Sequence, residues 1–90
     1  MPTAIILLTC EGKETARIAE SLTSLPGVTE VYSVAGNYDL VAVIRVKANE
    51  DLADLVTGQI RTIPGILTSQ TLIAFRAYSN TEINAMFDMN

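Results

Sequence analysis

Between two apolar runs lies Gly36-Asn37-Tyr38-Asp39, a turn that carries an amide, a phenol and a carboxylate. Asp39, at the mouth of a hairpin, has two kinds of work open to it. It can accept hydrogen bonds within its own turn, as aspartates beside Gly-Asn commonly do. Alternatively it can anchor a cationic ligand group, because a carboxylate accepts charge-assisted hydrogen bonds that are short and strong. Gly36 would let backbone N–H groups approach a bound anion with no side chain in the way. Tyr38 could wall a pocket or pack on the hairpin. A second polar set, Thr68, Ser69, Gln70 and Thr71, could line the same pocket, and an exposed strand end explains it equally well. Arg45 and Arg76 could bind anions or pair with acids such as Glu30. A lone Cys10 near the start of a helical stretch could have a lowered pKa, but with no base in view an inert thiol is the simpler reading.

Other chemistry is excluded by what the chain lacks. It has no histidine and one cysteine, so the usual zinc, iron or copper sites cannot be built within one chain. General acid–base catalysis at neutral pH is deprived of its commonest group. The net charge of −4, with six scattered basic residues, offers no patch for displacing phosphate counterions, so direct nucleic-acid binding is disfavoured. The longest early apolar run, Ala4 to Leu8, is far short of a membrane span or signal-peptide core. An unpaired cysteine and no export signal point to the cytoplasm.

These residues need a scaffold, and ninety residues make one small domain. Ala4 to Thr9 reads as a buried strand. From Lys13 to Leu25, the spacing of Ala16, Ile18, Ala19, Leu22 and Leu25 predicts an amphipathic helix, stopped by Pro26-Gly27. Val28 to Val34 and Leu40 to Val46 read as strands joined by the Gly36-Asn37 turn, both residues tolerating the positive φ of a tight hairpin. A second helix starts at Asn49 or Glu50-Asp51, buries Leu52, Leu55, Val56 and Ile60, and stops at Pro64-Gly65. Ile66 to Tyr78 reads as one long strand. Residues 1–78 form the domain, and 79–90 are a tail with Ile83, Met86 and Phe87 at helical spacing.

The chain also repeats itself. Ser-Leu-Pro-Gly-Val at 24–28 answers Thr-Ile-Pro-Gly-Ile at 62–66, and Ala-Ile-Ile-Leu at 4–7 answers Ala-Val-Ile-Arg at 42–45. Two βαβ units in tandem give βαββαβ, an α+β fold of the ferredoxin-like type, with both helices on one face of an antiparallel sheet. Ala4, Ile6, Leu8, Leu40, Ala42, Ile44 and Val46 would face those helices. Ile5, Leu7, Val41 and Val43 would lie on the open face, with Arg45 and Lys47 towards one end, and that face is too apolar for a wet one. With 49% apolar residues overall, the chain should cover that face with a second copy in a two-fold dimer.

The segments LTSLPGVTEVYSVAGNYDLVAVIRV and LADLVTGQIRTIPGILTSQTLIAF resemble the effector-binding domain of the Lrp/AsnC (feast/famine) regulators, also called the regulator-of-amino-acid-metabolism domain. The likeness spans residues 4 to about 77, and Gly36-x-Tyr38-Asp39 is its most specific element. It implies dimers through the open sheet faces and rings of dimers, commonly octamers or decamers. It also implies a small amino acid bound at dimer–dimer contacts, with Gly36, Asn37, Tyr38 and Asp39 contributing, joined by Thr68, Ser69, Gln70 and Thr71. Asp39 would then receive the α-ammonium group. Full-length members carry an N-terminal helix-turn-helix domain, whereas this sequence begins at the first sensor strand. A stand-alone sensor is therefore expected, non-enzymatic and without a cofactor, acting on transcription through a partner such as a full-length Lrp/AsnC regulator.

Three other readings compete with it. An ACT-like regulatory domain shares the plait and uses a glycine-bearing loop after the first strand, where Gly12 lies. A dimeric α+β barrel enzyme of monooxygenase or isomerase type would close two plaits around a pocket. A purely structural assembly module would need no site at all.

Overall fold

The computed structural model describes residues 2–78. Strand β1 (Thr3–Cys10), helix α1 (Thr15–Thr23) and strand β2 (Val28–Ser33) make the first half. Strand β3 (Leu40–Arg45), helix α2 (Asn49–Leu55) and strand β4 (Ile66–Ile73) make the second. The strands pair antiparallel in the order β2-β3-β1-β4, so β1 is bonded on both sides. This is the ferredoxin-like α+β plait.

Alternation along the strands divides the sheet into two faces. Ala4, Ile6, Leu8, Leu40, Ala42 and Ile44 are fully buried on one of them, packed with Ile18 and Leu22 of α1 and Leu52 and Leu55 of α2. The opposite face carries Ile5, Leu7, Val41 and Val43, which the register sets beside Leu72, Gln70 and Tyr32. Ile5 and Leu72 stay 36% and 42% exposed in the single chain, so this face is apolar and uncovered within one subunit.

Several boundaries fall short of the sequence expectation, for local reasons. Helix α1 begins at Thr15, because Gly12–Glu14 is spent on a turn closed by the Glu14 N–H on the Glu11 carbonyl. It ends at Thr23, where the hydroxyls of Thr23 and Ser24 donate to the carbonyls of Glu20 and Ser21 and compete with the helical ladder. Strand β2 stops at Ser33, and the Val34 N–H then closes the hairpin on the Asp39 carbonyl. Strand β3 stops at Arg45, since Val46 meets Pro2, which has no N–H to return. The apolar pattern predicts a β4 reaching Tyr78, but the strand ends at Ile73. The Ala74 N–H makes a last bond to the Thr3 carbonyl, and β1 offers no residue beyond it. The expected tail at 79–90 lies outside the described residues.

Helix α2 continues as a wider π turn over Val56–Ile60, in which the Arg61 N–H reaches back to the Val56 carbonyl. That widening keeps Leu55 and Ile60 both in the core. It also explains why the two halves match only in part. The first half has the longer opening strand, and the second has the longer closing strand and the longer helical stretch.

The Pro-Gly pairs are the closest correspondence between the halves. Gly27 and Gly65 share a φ of +96°, and each is followed two residues later by a β-bulge, at Thr29 and at Leu67. The Gly27 carbonyl accepts the Arg45 N–H at the end of β3, and the Gly65 carbonyl accepts the Glu11 N–H just past β1. A Cβ on Gly27 would lie 2.9 Å from Val46 Cγ1, and one on Gly65 3.0 Å from Ile18 Cδ1. Gly27→Ala and Gly65→Ala are each expected to cost about 1–3 kcal/mol from backbone strain alone. Denaturant unfolding at one fixed chain concentration measures this, and an unchanged midpoint would refute it.

Candidate functional site

The order of strands decides what the hairpin meets. Because β1 lies between β3 and β4, the turn that opens β3 must sit against the C-terminal end of β1. Asp39 is pinned there three times. Its N–H donates to the Leu8 carbonyl (2.8 Å), its carbonyl accepts the Val34 N–H (3.0 Å), and its Oδ2 accepts the Cys10 N–H (2.8 Å). The carboxylate thus stands in for a carbonyl at the place where the β1–β3 ladder stops. Among the described residues, the other carboxylate oxygen makes no hydrogen bond.

Tyr38 reaches across β1, and its hydroxyl donates to Gln70 Oε1 of β4 (2.8 Å). Beside that bond the hydroxyls of Thr9 and Thr68 bond to each other across the β1–β4 pair. The structure therefore joins Tyr38, Asp39, Thr68 and Gln70 at one end of the open face. Gly36 is in the turn with a φ of +119° and nothing within 4 Å of an added Cβ, so backbone freedom explains it and its surroundings are open. Asn37 is exposed in the same turn and, against the sequence expectation, has a negative φ.

Ser69 and Thr71 separate from this cluster. Successive strand residues point to opposite faces, so pairing of Ser69 with Leu8 and Thr71 with Ile6 puts both on the helix-covered side. Thr71 there helps line an apolar groove of about 430 Å3 between α2 and β4, with Leu52, Val56 and Ile73. Reading the sequence by segments missed Thr9 and the Cys10 N–H. The plait topology alone could have found them, since it makes the end of β1 the hairpin's neighbour.

Cys10 closes β1 rather than opening a helix, and its side chain is buried. Burial, and secondarily the Asp39 charge, push its thiol above the ordinary value of 9.0. That makes it the inert thiol rather than a nucleophile. On the edge strand, the Tyr32 hydroxyl donates to the Glu30 carboxylate, whose hydrogen bond and charge raise the phenol above its ordinary 10.0. Glu30 is thus engaged within β2. Among the described residues no group of three or more acids and cysteines could hold a metal ion. Nor is any described helix long and apolar enough to cross a membrane.

A plait whose acid-bearing hairpin is braced on the central strand, with an apolar sheet face left uncovered, is the frame of a regulatory ligand-binding domain. The model of the Lrp/AsnC ligand binding domain matches residues 3–83, and the chain belongs to that family. Among curated relatives, the HTH-type transcriptional regulator FL11 of Pyrococcus horikoshii is 32% identical over 78 residues, covering 87% of this chain and 51% of its own length. The chain thus spans about half the length of the curated relatives it matches. Among solved structures, TTHA0845 from Thermus thermophilus is 45% identical with a TM-score of 0.84, over 89% of this chain and all of that one. Escherichia coli AsnC is 25% identical with a TM-score of 0.79, over 84% of this chain and 52% of AsnC.

Two outcomes follow from this geometry. Asp39→Ala strands the partly buried Cys10 N–H and is expected to cost about 1–3 kcal/mol, whereas Asp39→Asn keeps an acceptor and should cost less than half as much. Equal losses in chemical denaturation would show that the hydrogen bond is not what matters. For Cys10, the folded state holds the thiol proton more tightly than the unfolded chain does. Its contribution is whole below 9.0 and is lost as pH rises through the higher folded value. Wild-type stability should therefore fall more steeply at alkaline pH than that of Cys10→Ala.

Proposed function

We propose that the chain is a non-enzymatic amino-acid sensor. Two copies join through the open sheet faces, dimers assemble into a ring of the octamer or decamer kind, and a small amino acid binds at the contacts between dimers. Its effect on transcription passes through a DNA-binding partner, for which a full-length Lrp/AsnC regulator is the natural candidate because the dimer surface would be shared.

The observation that supports this most is the meeting of two distant segments at one point. Asp39 and Tyr38 from the hairpin and Gln70 from β4 lie together, held by the Tyr38–Gln70 and Asp39–Cys10 hydrogen bonds. The cluster offers a carboxylate for an α-ammonium group, and hydroxyl and amide groups for orientation. An open turn at Gly36 leaves backbone N–H groups approachable by an α-carboxylate. These are binding groups. The sequence contains no histidine to convert them into an acid–base pair. A ligand touching two dimers would favour the ring in which both are placed to hold it, by its differential affinity for that state.

A panel of common amino acids at about 10 mM tests this by thermal unfolding at fixed chain concentration. A site with a dissociation constant near 1 mM should add about 1.4 kcal/mol, or several degrees in a domain of this size. Sedimentation of the same samples should show the ligand shifting mass between dimer and ring. Asp39→Asn and Tyr38→Phe preserve the fold better than alanine and should remove the selective shift. If no amino acid moves either the midpoint or the assembly, sensing at the hairpin is wrong.

A further inference from the structure

Register pairs Ala4 of β1 with Ile73 of β4, and the pleat turns both side chains towards the helices. Ala4 is fully buried there, yet Ile73 is 59% exposed. Among the described residues, the helix layer therefore stops between the two strands. Beyond it β4 is an edge strand, and its helix side borders the groove of about 430 Å3 against α2 and the π turn. Leu52, Ala53, Val56 and Ile73 line that groove, and no charged side chain does.

The path of the chain leads back to this place. Thr3 pairs with Arg45 at the end of β3, and its carbonyl accepts the Ala74 N–H just past β4. Strands β3 and β4 thus finish at the same end of the sheet, where α2 starts with Asn49 at one mouth of the groove. Residues 74–90 follow, and among them Ile83, Met86 and Phe87 recur at three- and four-residue steps. The family match stops at residue 83, so Met86 and Phe87 lie beyond it. Eight residues in extended form, 74–81, can span about 25 Å, and a helix over 82–90 would be about 13 Å long. That is enough chain to turn back into the groove. A helix so short does not hold in water by itself and has to bury its apolar stripe.

We propose that the tail, residues 79–90, docks as an amphipathic helix in this groove of its own chain. Ile83, Met86 and Phe87 lie over Leu52, Val56 and Ile73. The tail then forms a third helix beside α2 and covers edge strand β4, one of the ways in which sheets protect an open edge. Thr81 is placed to cap it, and Glu82 falls in its first turn, where the helix dipole favours an acid. The docking needs neither a ligand nor a second copy, so it stands or falls apart from the sensor reading.

Two measurements on the whole chain test it. The first is a double-mutant cycle of thermal midpoints at one chain concentration, with Ile73→Ala, with Met86→Ser plus Phe87→Ser, and with all three. With nothing over it, an exposed Ile73 should barely affect the midpoint when truncated. Under a docked tail, each change should lower the midpoint by several degrees, and the three together by clearly less than the sum. The second is oxidative cross-linking in a Cys10→Ala background. Thr57→Cys with Met86→Cys should form an intrachain disulfide, whereas Glu20→Cys with Met86→Cys should not, since Glu20 is exposed on α1. Strict additivity in the cycle, or cross-links equally abundant in both pairs, would overturn the proposal. So would an interchain disulfide in the first pair, which would give the groove to the tail of a second copy.

Discussion

Everything in this small molecule is referred to one strand. β1 is hydrogen-bonded on both sides, to β3 and to β4, and its alternation divides buried residues from those on the open face. Ala4, Ile6 and Leu8 anchor the core, while Ile5 and Leu7 lie on the face left uncovered within one subunit. Its last residues bear the site as well. The Leu8 carbonyl and the Cys10 N–H hold Asp39, and the Thr9 hydroxyl meets Thr68. A one-residue slip of this strand would exchange its faces and release the hairpin together. Core, open face and hairpin cluster are therefore one constraint seen from three directions.

The internal repeat shows which features the fold itself requires. Both halves keep a proline, a glycine at the same positive φ, and a bulge two residues later, because each must turn a chain tightly from a helix into a sheet edge. The halves diverge where packing leaves room. One corner is closed by Arg17, which donates to the Pro64 carbonyl; at the other, Leu55 lies against Gly27. The halves also differ in which strand is long, β1 in the first and β4 in the second, and in the π turn that extends helix α2.

Much of this was legible in the sequence. The order of elements and the two faces followed from the periodicity and the two Pro-Gly stops, and the Lrp/AsnC family from a resemblance whose most specific element is Gly36-x-Tyr38-Asp39. Strand and helix ends were less legible, because they depend on partners that no local pattern encodes. Ile73 ends β4 because β1 has no residue left to pair, although the sequence pattern continues to Tyr78. Thr68 to Thr71 illustrates the same limit. As a segment it is uniformly polar, yet the pleat sends Thr68 and Gln70 to the hairpin side and Ser69 and Thr71 to the helices. Composition identifies polar residues; register decides which of them meet.

Asp39 shows why a structural reading and a ligand reading need not compete. A carboxylate has two oxygens and room for several hydrogen bonds. One oxygen accepts the Cys10 N–H and ends the ladder, and the backbone on either side is held by Leu8 and Val34. A side chain fixed in this way has already lost the rotamer freedom that binding would otherwise remove. In the proposed site its second oxygen would therefore meet an ammonium group at little further entropic cost. The arrangement also fixes where such a ligand would lie, at the end of β1 beside Tyr38 and Gln70 on the open face. The turn aspartate and the ligand anchor are then one residue used through two oxygens, and the fold supplies the preorganisation that a free loop could not.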